Sequence, residues 1–461
     1  MRLSESSLAQ LADPVERPRY RRSAGGQGIL HFGSGAFHRA HQAVCTDDAN
    51  AAAGEPWHIT GVSLRSPAVA AQLNPQDGLY TVAFRSGTQT RRRLIGAVHR
   101  VLVAAQDSAA VVAAVAAPQT RIISFTVSEK GYCREASGAL DPALAGEHSL
   151  YRYLREGLAL RRQAGLPGVT LLSCDNLSGN GRQLATLFTQ YLEATSPAMT
   201  RWFQDHCTCP GTMVDRIVPA SSPADLDQQA AALGLRDEAA VFTEEFTQWV
   251  IEDHFAGERP QWEAGGAQFT HHVHAYETAK LRMLNGAHSA LAYLGLARGH
   301  EFVHEAVADP HLRPLVEHLM REEAATSFEA APDQDLDRYA DELLRRFANA
   351  ALRHRLLQIS MDGSQKIPQR WLDTLAFHQQ ARRSCPAILT ALAAWLRFVR
   401  GDRWPVDDPR AAELAALWKA NDAGQVVDAL FGAQGMFRNS WAASAADRAT
   451  LLVFIGAPTA R

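Results

Sequence analysis

The sequence predicts an α/β N-terminal domain built on a parallel sheet, followed by a mostly α-helical C-terminal domain. Short apolar segments alternate with helical stretches before about residue 270, the pattern of a parallel sheet covered by helices. Beyond that point long Leu/Ala/Arg segments with helical periodicity dominate and strand-like alternation nearly vanishes. A glycine-rich turn directly follows the first apolar segment, as it does where a strand hands over to a nucleotide-holding helix.

Taken in order, Gly28–Phe32, Ile59–Leu64, Arg121–Val127 and Val169–Cys174 are the predicted strands. Ser108–Ala116 and Ser149–Gln163 are Ala- and Leu-rich helical segments between them. The later helices include Ala279–Leu296, Asp335–Ala348 and Pro386–Val399, and the turn Gly432–Phe437 interrupts the last ones. The expected domains are residues 1–270 and 271–461. No internal repeat or low-complexity tail is present.

At 461 residues the chain is long enough for two or three domains with sizeable cores. A 46% hydrophobic and 21% charged composition with a formal net charge of -3 gives no electrostatic case for nucleic acid or a membrane surface. The basic runs Arg19-Tyr20-Arg21-Arg22 and Arg91-Arg92-Arg93 are short and read as solvated faces. No apolar run approaches the roughly 20 residues that span a bilayer. The opening MRLSESSLAQLADPVERP lacks the apolar core of a secretory signal, so a cytoplasmic protein is expected.

Cys45, Cys133, Cys174, Cys207, Cys209 and Cys385 are scattered and read as reduced thiols. Cys207 and Cys209 have one residue between them, too few for the usual zinc pair. His271-His272-Val273-His274 has no second ligand cluster at suitable spacing and reads as a surface loop. No metal is expected.

Ile29-Leu30-His31-Phe32 runs into Gly33-Ser34-Gly35-Ala36-Phe37-His38. Strand, tight turn and helix make a dinucleotide-binding arrangement: Gly33 permits the turn, and Gly35 lets the backbone approach a pyrophosphate at the helix N-terminus. The fingerprint's third glycine is absent, with His38 in its place. The second strand should end in an acid that holds the ribose of NAD. Here it is followed by Arg65-Ser66-Pro67, and an arginine there can also meet the extra phosphate of NADP.

Ligands of open α/β sheets sit beyond the carboxyl ends of the strands, where two polar segments fall. One is Thr126–Tyr132, containing Glu129; the other is Ser173–Gly181, containing Asp175 and Asn176. Asp175 and Asn176 are placed to cap the following helix, while an amide there can also donate to a developing oxyanion.

The stretch from Tyr276 to His288 brings a lysine, an amide and an imidazole onto one helix. At about 100° per residue, with Lys280 at zero, Asn285 falls near ~140° and His288 near ~80°. A lysine that can lose its proton beside a donor amide and an imidazole suits proton removal from an alcohol without a metal. The alternative is an amphipathic helix with a solvated lysine and a satisfied histidine.

Together, GSGAFHRAHQ, TVSEKGY, SCDNLSGNG, TMVDRIVP, QWVIEDHF, KLRMLNGAHSALAYLG and DGSQKIPQR resemble, in that order, the motifs of the mannitol dehydrogenase family, the long-chain, zinc-independent polyol and hexuronate dehydrogenases. The resemblance runs from about residue 25 to residue 440. It implies a Rossmann-type N-terminal domain, a helical C-terminal domain, an active site between them, and hydride transfer between a secondary alcohol and nicotinamide. By position, Lys280 resembles the general acid/base, Asn176 and Asn285 the amide pair that stabilises the alkoxide-like oxygen, and His288 the residue that orients substrate. Asp215 and Lys366 match substrate-contacting positions, and Glu277 matches a glutamate connecting the lysine's proton to solvent. Gly33, Gly35, Ala36, Phe37, Arg65, Glu129 and Asn176 are the expected cofactor contacts. For oxidation Lys280 must be neutral, so its pKa must fall well below the free value of about 10.4, as burial would make it do.

The family divides between neutral polyols and sugar acids. The opening resembles mannitol 2-dehydrogenases, whereas the segment ending in DGSQKIPQR resembles fructuronate reductases. Mannitol enzymes tend to carry an arginine where this chain has Gln358. Arg353, Arg355 or Arg370 can instead face a carboxylate, which a planar guanidinium binds bidentately; the alternative is surface helix charge. The resemblance therefore implies D-mannonate/D-fructuronate, with mannitol/fructose or D-arabinitol as alternatives, NAD rather than NADP, and a monomer or weak dimer. The non-enzyme alternative is a dinucleotide-binding regulator that has lost catalysis, against which stands the retention of lysine, both asparagines and histidine.

Overall fold

Ile29 packs into one hydrophobic cluster and Leu30 and Phe32 into another, so the strand they form is covered on both faces. Such a strand belongs in the middle of a parallel sheet. The computed structural model places it there. It describes residues 1–12, 14–22, 26, 28–52, 56–135, 137–351 and 353–456, which divide into the units Met1–Val273 and His274–Arg461.

The first unit contains β1 (Gly28–Phe32), β2 (His58–Ser63), β3 (Tyr80–Ser86), β4 (Gln89–Ile95), β5 (Val98–Val103), β6 (Thr120–Phe125), β7 (Thr170–Ser173), β8 (Thr212–Asp215), β9 (Val241–Thr243), β10 (Gln248–Glu252) and β11 (Gln268–Thr270). The main sheet has the order β5-β2-β1-β6-β7 and every pairing in it is parallel. The chain winds outward from β1 through β2 to β5, then returns to lay β6 beside β1. That reversal creates the crevice in which open α/β sheets hold ligands, at the carboxyl ends of β1 and β6. The four predicted strands are β1, β2, β6 and β7, and the predicted helices are present as Ser108–Ala116 and Leu150–Gln163.

Two smaller sheets, β4-β3-β9 and β11-β10-β8, were not foreseen. β3 and β4 are an antiparallel hairpin turning at Gly87, which takes φ 55. The hairpin corrects the expectation for Arg93, whereas Arg91 stays exposed. Arg93 ion-pairs with Asp47 at 2.8 Å and Asp48 at 2.6 Å, and Asp47 also accepts from Tyr20 Oη and the Gly96 amide. Arg22 likewise donates to the Gly96 and Val98 carbonyls. These two arginines tie the hairpin and the N-terminal segment to the helix Gln42–Ala52 instead of forming a solvated face.

The second unit is helical, and among the described residues it contributes no named strand. Its central helical run does not keep one register. Val273–Ala279 is α-helical, Lys280–Asn285 is a π-helical turn, and Gly286–Arg298 is α-helical again, ending at Gly299 with φ 89. Two further π segments, Leu319–Ala324 and Pro368–Leu372, pack against Lys280–Asn285. The predicted helices near 335 and 386 are Leu336–Phe347 and Pro386–Phe398, and the helix before the Gly432–Phe437 turn ends at Phe431.

Among the described residues no helix is long and apolar enough to cross a membrane, and no group of three or more His, Cys, Asp or Glu is placed to hold a metal. His271, His272 and His274 are exposed, and the six cysteines are free thiols.

Candidate active site

In the first unit, Gly33 and Gly35 have different reasons to be glycine. Gly33 takes φ 96, and a Cβ there would lie 2.1 Å from the Thr126 carbonyl oxygen. The turn needs both the left-handed backbone and the bare approach to β6, which Thr126 secures by donating through Oγ1 to the Gly33 carbonyl at 2.7 Å. Gly35 takes φ -70, and the nearest atom to its missing Cβ is 3.8 Å away. Nothing in the protein itself requires glycine there. The open volume before the helix Ala36–Ala40 fits the close approach of a pyrophosphate.

Beneath this turn His31 hydrogen-bonds Ser124 Oγ and Thr126 Oγ1, each at 2.8 Å. Its ring stacks on His38 with centroids 3.5 Å apart. Burial pushes His31 down to about 3 and His38 well below the ordinary range, so both rings are neutral. Ala36 and Phe37 are half-buried, and Phe37 stacks on His41 at 5.0 Å. Past β2, Ser63 Oγ closes the turn on the Ser66 carbonyl at 2.6 Å and Arg65 is exposed.

The structure corrects the capping role expected of Asp175. The helix Asn180–Thr195 starts from Gly179 without a side-chain cap. Asp175 instead accepts from the Val127 amide at 3.0 Å, the Ser128 amide at 2.9 Å and Tyr132 Oη at 2.9 Å. It clamps the loop carrying Glu129 to the loop carrying Asn176, both of which are exposed. Burial raises this carboxyl above its ordinary value, against the pull of those donors. Asn180 then joins the second loop to β8, donating to the Thr212 carbonyl and accepting from the Thr212 amide, each at 2.9 Å. Asp215 ends β8 and is buried.

In the second unit the π turn changes the arrangement read from the sequence. The Gly286 amide donates to the Leu281 carbonyl, five residues back. Such a turn advances about 82° per residue instead of ~100°. Asn285 then falls near ~50° from Lys280, and His288 near ~350°. Lys280, Asn285 and His288 thus share one narrow face, where a regular helix would spread them over about 140°. Lys280, Asn285 and His288 are half-buried and Glu277 is buried. Glu277 Oε2 lies 3.6 Å from Nδ1 of His274, whose side chain is exposed.

His288 packs over Phe347 at 4.9 Å and edge-on to His354 at 5.1 Å. Burial, then the nearby His354, Arg370 and Arg346, hold its pKa well below the usual value, so its imidazole is neutral. Arg370 donates through Nη1 to Ser289 Oγ at 2.7 Å and to the Asn285 carbonyl at 3.4 Å. Burial pulls this guanidinium down to about 10, and among the described residues no carboxylate pairs with it. Lys366 is lowered by burial and donates to the Met361 carbonyl at 2.6 Å. Arg355 does not join this group: it is exposed and pairs with Glu301 at 3.5 Å, while His354 between Arg353 and Arg355 takes the inward place. Arg346 was missed because it lies on the helix Leu336–Phe347 far from any motif, and the clamping role of Asp175 because its partners lie 43–48 residues away.

Residues 27–264 match the mannitol dehydrogenase Rossmann domain, and residues 272–445 match the mannitol dehydrogenase C-terminal domain. D-mannonate oxidoreductase of Escherichia coli is 39% identical over 97% of this chain and 95% of its own length. Mannitol 2-dehydrogenase of Phaeosphaeria nodorum is 36% identical over 90% of this chain and 77% of its own. The solved ternary complex of Pseudomonas fluorescens mannitol 2-dehydrogenase with NAD and D-mannitol superposes with a TM-score of 0.83 at 33% identity, covering 99% of this chain and 96% of that one. Two matched domains spanning nearly the whole sequence place this chain in the mannitol dehydrogenase family of oxidoreductases.

Proposed function

We propose that the protein interconverts D-mannonate and D-fructuronate with NAD as redox partner. The observation that carries the sugar-acid reading is Arg370: a half-buried guanidinium beside the Asn285–Ser289 turn whose protein partners are all neutral. A cation drawn out of water without a counter-charge is unfavourable, and a substrate carboxylate would relieve it with charge-assisted hydrogen bonds. The cations around His288 extend the same positive surroundings.

Gly33, Gly35, Ala36, Phe37, Arg65, Glu129 and Asn176 are the residues proposed to hold NAD, which when bound accepts or returns a hydride. Lys280, in its neutral form, takes the hydroxyl proton during oxidation and returns it during reduction. The amides of Asn285 and Asn176 donate to the oxygen as negative charge grows on it. Neutral His288 orients the neighbouring hydroxyl, with Asp215 and Lys366 contacting the rest of the chain of hydroxyls. Glu277 passes the proton from Lys280 outward past His274.

Relatives named mannitol 2-dehydrogenase favour D-mannitol/D-fructose as the second reading. NADH oxidation measured against D-fructuronate, D-tagaturonate, D-fructose and D-xylulose, and repeated with NADPH, separates them. A kcat/KM for fructuronate at least about tenfold above fructose, or roughly 1.4 kcal/mol of discrimination, is expected; a preference for fructose or xylulose overturns the sugar-acid reading.

A further inference from the structure

We infer that Trp371 is a positioning residue for the chemistry of this helix, holding the π turn that aligns Lys280 with Asn285. Its indole Nε1 donates to the Gly286 carbonyl at 3.1 Å, and the whole side chain is buried. It lies on Pro368–Leu372, itself a π segment packed against Lys280–Asn285. Its neighbour Arg370 donates to the preceding carbonyl, that of Asn285. Two successive carbonyls at the end of the π turn thus receive side-chain donors from one segment.

A π turn is rare and of higher energy than α-helix, so it persists where its surroundings hold it. Gly286 supplies an independent observation. Its φ is -63, so the backbone conformation does not call for glycine. A Cβ there would stand 3.3 Å from the Arg370 carbonyl oxygen and 3.5 Å from Trp371 Nε1. The bare α-carbon lets the indole N–H come close to the helix at this level.

Relaxation to a regular helix would swing Asn285 by about 90° away from Lys280. The amide would then no longer reach an oxygen whose proton Lys280 holds. Losing one such donor lowers kcat by about 10²–10³-fold in a rigid oxyanion site. A weakened clamp is expected to give part of that.

The inference rests on the reading of Lys280 and Asn285 as the groups that act on the alcohol. The test is steady-state kinetics of Trp371→Phe and Gly286→Ala beside Lys280→Ala, with NADH affinity by fluorescence titration and folding by thermal melting. For Trp371→Phe, kcat should fall by about tenfold or more while the KM of the sugar substrate and the NADH affinity stay within about twofold, since the lost interaction belongs to the transition state. A merely structural tryptophan would lower the melting temperature and leave that split unmoved. A folded Trp371→Phe with wild-type kcat, or with kcat and KM altered in proportion, overturns the inference. Should that variant not fold, Gly286→Ala decides: the same split is expected, and wild-type kcat overturns the inference. Lys280→Ala keeps the two levels apart. Its retention of activity would sink the reading of the helix, whereas its collapse beside an unaffected Trp371→Phe would sink the positioning role alone.

Discussion

The contrast between Gly33 and Gly35 can be turned into a quantitative test of the nucleotide loop. At Gly33 an alanine must adopt φ 96, which costs a residue with a Cβ about 1–2 kcal/mol. Its methyl would also lie 2.1 Å from the Thr126 carbonyl oxygen, more than about 1 Å inside ordinary contact. Overpacking of that kind adds roughly 1–3 kcal/mol. Gly33→Ala should therefore destabilise the first unit by about 2–5 kcal/mol and lower its melting temperature by roughly 5–15 °C. At Gly35 the backbone already suits alanine and no atom approaches within 3.8 Å of the new methyl. Gly35→Ala should leave stability within about 0.5 kcal/mol. Its effect should appear in cofactor binding, where the methyl takes the volume assigned to the pyrophosphate, with NADH affinity falling at least about tenfold, or ~1.4 kcal/mol. Thermal melting without cofactor and NADH fluorescence titration separate the two. A Gly35→Ala protein that melts as low as Gly33→Ala, or that binds NADH as the wild type does, would refute the reasoning.

Lys280→Ala should collapse kcat in both directions with NADH affinity nearly intact; lost NADH binding would put Lys280 in the wrong role. Asp175→Asn replaces one of two acceptor oxygens by a donor facing backbone amides, so about 2–4 kcal/mol of stability should go, together with weaker NADH binding because the Glu129 loop loses its anchor. Unchanged melting and affinity would count against the clamp. His31 is held near a pKa of about 3, below the unfolded value of about 6.5. Below pH ~6.5 the unfolded chain therefore binds the extra proton, and stability falls as pH falls, by roughly 1 kcal/mol per pH unit. His31→Gln should reduce the pH dependence of the unfolding free energy between pH 6.5 and 5.5 by about that amount; an unaltered slope contradicts a neutral buried ring. Asp309 behaves in the opposite sense to a buried free carboxyl. Burial alone would raise it, but hydrogen bonds from His300, Arg298 and the His311 amide hold it well below the usual range. Its stabilisation is full above pH ~4 and shrinks on further acidification, so Asp309→Asn should show its largest stability deficit at pH 7 and a progressively smaller one below pH ~4.

What could be read from the sequence was what burial writes into composition. β1, β2, β6 and β7 each send apolar side chains into the clusters on both faces, and such runs announce themselves without neighbours. The β3–β4 hairpin does not, because Arg91, Arg92 and Arg93 stand in it where alternation would show apolar residues; their partners Asp47, Glu16 and Gln229 come from distant parts of the chain. The motif residues of the candidate site were legible, yet their relation was not. A π turn uses the same residue types as an α-helix, and spacing counted at ~100° per residue misplaces Asn285 by about 90°. Asp175 was visible as an acid at a strand end, but whether it caps its own helix or holds another loop depends on contacts that local sequence does not encode.

The π turn is also one residue more than a regular helix would hold between the same two ends. Removing the surplus outright takes a shorter chain; losing a clamp such as Trp371 only frees the extra residue to move elsewhere along the helix. A protein missing one residue between Lys280 and Asn285 would close as a regular helix with the pair four residues apart, near ~40° on the same face. The π turn thus gives two residues five apart in the chain the relation that a regular helix reserves for residues four apart.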